Sequence, residues 1–230
     1  MKIITDKKKL SIRCDEIGNS VSEDEVKSMA REIKKAIYDN NLTNLAANQL
    51  GYSWRLLGIN FNGDIRIYLN PIVIDSEGLE ISQETCPSLK NKKYLIPRCS
   101  AVTVAYQTTT GKMESQKFIG LAAREMQHAI NHLDGILLSD IGLEIDSQFE
   151  NASEQEKDEL ISAYLKNIIE ANKKAEEYIK SDKDLSELND AIRFMDSLAK
   201  GEITLEQIKT ESNTEKENLE ENDDNDKGEN

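Results

Sequence analysis

The chain contains two histidines, and they stand four residues apart, in His128-Ala-Ile-Asn-His132. On a helix that spacing puts both imidazoles on one face, within reach of a single ion. Such a pair can also be two polar surface residues. Finding every histidine of the chain inside one five-residue window favours a metal. Two imidazoles do not complete a site, so a third ligand must come from elsewhere. Cys86, in Gln83-Glu-Thr-Cys-Pro-Ser-Leu89, is the candidate, because it ends a strand-like run beside Pro87, which forces a turn. A lone cysteine in such a place is more often a small buried residue; the histidine pair is what makes it a ligand candidate.

These residues need elements to hold them. After the capping box Ser22-Glu-Asp-Glu25, the residues Val26, Met29, Ile33 and Ile37 recur at helical spacing, predicting a helix to about Asp39, while residues 1–20 read as irregular. Short β-prone runs follow at Leu56–Phe61, Ile65–Ile74 and Leu79–Ser82, divided by Asn62-Gly63-Asp64 and Ser76-Glu77-Gly78. Ala101–Gln107 and Met113–Phe118 read as two more strands. Gly120 then precedes the helix that carries both histidines, Leu121 to about Leu133, closed by Asp134-Gly135. The expected fold is α+β: antiparallel strands around a central metal-binding helix.

Behind Ile145 the pattern turns wholly helical. A second capping box, Ser153-Glu-Gln-Glu156, leads into an apolar stripe through Leu160, Tyr164, Leu165, Ile168, Ile169, Ala175 and Ile179. Leu185, Leu188, Ile192, Met195 and Leu198 predict a second helix stopped by Gly201, with a further turn near Leu205–Ile208. The expected domains are therefore 1–145, a helical hairpin over 146–210 and a disordered acidic tail over 211–230.

Charge follows the same division. The 230 residues carry a net charge of −14, yet residues 1–145 hold 18 acidic and 18 basic side chains. Residues 146–210 and 211–230 contribute −7 each. No apolar run reaches the ~18 residues that cross a bilayer, and Met1–Lys9 lacks the apolar stretch expected of a secretory signal. No basic stripe is present to track nucleic acid, and the acidic rear would be repelled by phosphate. Three cysteines, Cys14, Cys86 and Cys99, do not suit a disulfide framework. A cytoplasmic protein without membrane or direct nucleic-acid contacts is expected.

Three segments resemble the motifs of the peptide deformylase family, in the family's order. Leu45-Ala-Ala-Asn-Gln-Leu-Gly51 is similar to its Leu-Ala-Ala-x-Gln motif, Glu84-Thr-Cys-Pro-Ser88 to Glu-Gly-Cys-Leu-Ser, and Gln127-His-Ala-Ile-Asn-His-Leu-Asp-Gly135 to Gln-His-Glu-x-Asp-His-Leu-x-Gly. The resemblance spans about residues 1–145. It implies that Cys86, His128 and His132 ligate one divalent ion, iron in most members, with nickel, cobalt or zinc able to take its place. The open fourth position would let the cation lower the pKa of water to about 7, giving a hydroxide nucleophile. That nucleophile would remove the formyl group from N-formylmethionyl peptides, the substrates that translation supplies. Gln49 would donate its amide to the formyl oxygen, and Glu84 would pair with Arg98 to brace the cysteine loop.

Three departures bear on catalysis. Ala129 stands where the family has the glutamate that shuttles the proton, a loss that typically removes ~10²–10⁴ in rate. Pro87 follows the cysteine and has no N–H to offer the formyl oxygen, a loss of about 10²–10³. Leu42 and Asn44 replace glycines ahead of the first motif, where side chains crowd an approaching peptide backbone. Glu125, three residues before His128, and Arg124 beside it resemble replacement bases, but Glu125 reads rather as a helix-surface charge. The expectation is a deformylase-like metalloprotein with weak or lost turnover. The alternatives are an inactive homologue that binds metal, peptide or partner, and an acidic helical extension that assembles with another protein.

Overall fold

In the computed structural model, which describes residues 2–18 and 20–181, the N-terminal stretch read as irregular contains one turn of helix, α1 (Lys7–Leu10), capped by Asp6. The helix expected after Ser22 is α2 (Glu23–Asp39). Its capping box is closed in both directions: the Glu25 N–H donates to Ser22 Oγ, and the Ser22 N–H donates to Glu25 Oε2 at 2.9 Å.

Five strands form one antiparallel sheet in the order β1-β2-β3-β6-β7: β1 (Asn44–Ala46), β2 (Leu56–Phe61), β3 (Asp64–Glu77), β6 (Ala101–Gln107) and β7 (Met113–Ile119). A second antiparallel sheet orders β4 (Glu80–Thr85), β5 (Lys93–Arg98) and β8 (Leu143–Glu144) as β4-β5-β8. The histidine helix is α3 (Leu121–Leu133), followed by the short α4 (Leu138–Ile141) and α5 (Ser147–Asn151).

Alternation along β2 shows how the large sheet divides the core. Leu57 and Ile59 join Tyr68, Val104 and Phe118 under Met126, Ile130 and Leu133 of α3. Leu56 belongs to the opposite cluster, with Ile33 and Ile37 of α2. Gly58 lies on that α2 side, where a Cβ would come within 2.7 Å of Ile33 Cγ2, so its bare backbone lets the helix close on the strand. One helix thus packs on each face of the sheet, and α3 is held by side chains from all five strands, Ala46 of β1 included.

Several strands differ from their sequence reading. β3 runs to Glu77 because the chain continues through two register shifts against β6 instead of stopping at Ile74. β4 extends to Thr85. β5 was invisible in sequence because Pro97 interrupts it. The strand tolerates the proline, which stands opposite Ile81 of β4, since β8 pairs only with Tyr94 and Leu95 and leaves that end an edge.

The helix after Ser153 is α6 (Glu154–Ser181), begun by the expected capping box. Met1–Glu170 is one compact unit. Within it the Tyr164 hydroxyl donates to the Ile141 carbonyl, and Phe149 and Ile161 line a cleft with Leu95 and Ile145. The helix expected at Leu185–Leu198, the turn near Leu205–Ile208 and the tail over 211–230 lie outside the described residues. No described helix is long and apolar enough to cross a membrane. A chain ending at Asp146 is expected to melt cooperatively, since the two sheets and α3 are then complete. Its midpoint should fall by several degrees for the loss of the Tyr164 and Ile161 contacts, at roughly 2–8 °C per kcal/mol. A broad, non-cooperative melt would move the folding boundary into α6.

Candidate metal centre

The two histidines face inward because α3 lays its apolar stripe on the large sheet. Ala123, Met126, Ala129, Ile130 and Leu133 are buried there, and His128 and His132 occupy the flank that turns towards the second sheet. Cys86 arrives from that second sheet, just past the end of β4, where Pro87 starts a single 3-10 turn, Pro87–Leu89. The Cys86 sulfur and one nitrogen of each histidine lie within 4.8 Å of one another, and all three residues are buried. His132 Nε2 is 3.2 Å from Cys86 Sγ. Separations of this order suit atoms that share one ion at 2.0–2.3 Å.

The three groups set one another's charge. Burial lowers the His128 imidazole, but hydrogen bonds to Cys86 and Glu84 outweigh it and raise its pKa to about 9, so an ion would have to displace that proton. Burial pushes the Cys86 thiol up, but hydrogen bonds from His128 and His132 outweigh it and bring its pKa down to about 5. Cys86 thus favours the thiolate at neutral pH, the form that binds metal. Burial holds His132 below the ordinary imidazole value, so that ring is neutral and its lone pair is available. A buried thiolate with two imidazoles fits a divalent transition metal.

Around the triad the bracing is dense. Arg98 forks onto Glu84 through Nε at 2.7 Å and Nη2 at 3.0 Å, and its Nη1 donates to Asn131 Oδ1. Glu84 in turn accepts from His128 Nδ1 at 3.0 Å, leaving His128 Nε2 for the ion. Burial raises the Glu84 carboxyl, yet Arg98 and His128 override it and hold it at about 2. Both partners of the ion pair are under one-tenth exposed. Glu84→Ala would strand the Arg98 charge, and is expected to cost about 3–5 kcal/mol, read as a fall in the urea midpoint. A loss under ~1 kcal/mol, the worth of a surface pair, would contradict this account of the brace.

The structure also places the other residues singled out by sequence. Gln49 sits above Cys86: its Oε1 accepts from the Ala46 N–H at 2.9 Å, and its Nε2 donates to Ser88 Oγ at 3.0 Å. Ser88, which sequence reasoning passed over, thus holds the amide that faces the centre. Ala129 is fully buried between the histidines. Pro87 stands directly beside the ligand and carries no donor. Glu125 is not a free surface charge: its Oε2 accepts from Thr43 Oγ1 at 2.6 Å and from the Asn44 side-chain amide. The correction follows from packing, because α3 lies against the start of β1 and turns that position towards Asn44. Arg124 donates to Ser82 Oγ at 3.0 Å on β4 and is no base. Cys14 and Cys99 are free thiols outside the triad, and burial raises the Cys14 thiol to about 11.

Comparison with known proteins bears on this geometry. The family model for polypeptide deformylase matches residues 1–146. A peptide deformylase of Dictyoglomus thermophilum is 30% identical over 122 residues, which is 53% of this chain and 80% of that protein. One from Desulfitobacterium hafniense is 32% identical over 135 residues, 54% of this chain and 90% of its own length. Among solved structures, the peptide deformylase from Thermotoga maritima superposes with a TM-score of 0.56 at 26% identity, covering 61% of this chain and 94% of that one. The Met-Ala-Ser-bound peptide deformylase from Acinetobacter baumannii gives a TM-score of 0.57 at 21% identity, with 61% and 96% covered, and shares the fold.

Proposed function

Because the chain belongs to the polypeptide deformylase family, we propose that it holds one divalent ion on Cys86, His128 and His132 and receives formylated peptide N-termini there, with turnover slow or lost. A divalent ion on such a set acts as a Lewis acid and lowers the pKa of water to about 7. The chain's own residues do the rest. Glu84 and Arg98 fix the His128 ring. Gln49 Nε2, which donates to Ser88 Oγ, would turn towards the formyl oxygen as charge develops on it.

The reading of slow turnover rests on the absence of a free proton carrier at the triad among the described residues. Ala129 offers none, and the carboxylate on the ligand set, Glu84, has both oxygens engaged by Arg98 and His128. Pro87 removes a donor that would share the developing charge. With turnover lost, the ion and the Gln49 amide would leave a binding role for formylated N-termini, in a cytoplasmic setting where such peptides arise. Equilibrium dialysis of the cobalt-loaded chain tests this: formyl-Met-Ala-Ser should be retained and recovered largely intact, and unformylated Met-Ala-Ser should pass freely. Equal retention of both peptides would contradict formyl recognition.

A further inference from the structure

The two histidines are braced unequally. His128 gives its Nδ1–H to Glu84, which is itself anchored by Arg98. His132 directs Nε2 at the Cys86 sulfur, so its Nδ1 is the nitrogen that must carry hydrogen when the ring ligates, and that atom is buried with no partner among the described residues. A ligating imidazole almost always donates this second N–H to an acceptor that fixes its tautomer and orientation.

One buried acceptor, on a residue hydrogen-bonded to the His132 backbone, is uncommitted. Asn48, in the first motif, donates its Nδ2 to the backbone carbonyl of His132 and, at 3.4 Å, to that of Leu10. Two carbonyls accept and cannot donate, so they settle which end of the amide is nitrogen. The oxygen, Oδ1, is left buried and without a partner. A donor without an acceptor and an acceptor without a donor thus belong to two residues already joined by a hydrogen bond. We infer that Asn48 is the positioning residue for His132, its Oδ1 accepting the Nδ1–H through one bridging water while Nδ2 stays on the carbonyls, as Glu84 accepts that of His128 directly. The centre would then be held by one charged and one neutral brace. This inference rests on the metal reading above.

Cobalt binding to the full-length chain tests it, because the visible bands of thiolate-bound cobalt report ligand geometry. Asn48→Leu removes the acceptor and the two donor contacts, and should raise the cobalt dissociation constant about 10–100-fold and shift the bands. Asn48→Asp keeps an oxygen acceptor while losing both contacts to carbonyls. Its melting midpoint should fall with that of the leucine variant, but its cobalt affinity and spectrum should stay near those of the unmodified chain. Equal cobalt affinity in all three proteins, or an equal loss in both variants, overturns the inference and leaves the metal reading standing. Absence of cobalt uptake by the unmodified chain overturns both.

Discussion

Ala129→Glu is expected to raise the rate of formate release from formyl-Met-Ala-Ser by about 10²–10⁴ over the unmodified chain. At ~1.4 kcal/mol per decade, that is roughly 3–5 kcal/mol of barrier. The position lies between His128 and His132 on α3, so a carboxylate there gains the one property the site lacks, a group free to take and return a proton. Recovery should stop short of an intact enzyme, because Pro87 still presents no N–H, a deficit of about 10²–10³. The two losses need not multiply cleanly, since groups that act as a unit are not additive. Stopped assays with metal-loaded protein, variant beside unmodified chain, read the ratio directly. A ratio near one would show that the missing glutamate is not what limits turnover.

Replacing both His128 and His132 by alanine should reduce bound metal from about one ion per chain to background. The thiolate of Cys86 alone is one ligand of three, and structural or catalytic sites of this kind need three or four from the protein. Stability should also change, though in two opposing ways. The rings are buried and their loss leaves cavities at ~2–5 kcal/mol for a large-to-small change, whereas removing an imidazole relieves the desolvation of a titrating group. Metal content by plasma emission, measured on protein whose melting is still cooperative, separates ligand loss from unfolding. Full metal content in the double variant would mean that the ion binds elsewhere.

Much of the centre was legible because it is written in short contiguous runs. Four-residue spacing on a helix with a clear apolar stripe brought His128 and His132 together, and α3 carries them as that spacing requires. Capping boxes at Ser22 and Ser153 marked helix starts one residue from where they occur. What stayed hidden depends on residues far apart in the chain. β1 is three residues long and exists as a strand only through β2, so no periodicity could announce it. The clasp of Thr43 and Asn44 onto Glu125 crosses more than eighty positions, and it turned a supposed surface charge into a tertiary contact. The grip of Ser88 on Gln49 likewise needs two loops to meet. Hydrophobic pattern records which face is buried; it does not record which polar side chain waits on the other side of the fold.

The central claim is that the ligand set persists while proton transfer has gone. The most direct measurement is formate release from formyl-Met-Ala-Ser by the unmodified chain, reconstituted with ferrous iron under anaerobic conditions and shown to hold about one ion per chain. The account predicts full metal occupancy with kcat/KM at least about 10² below that of the Ala129→Glu variant prepared in the same way. Metal-loaded, unmodified protein that turns over as fast as the variant would contradict it.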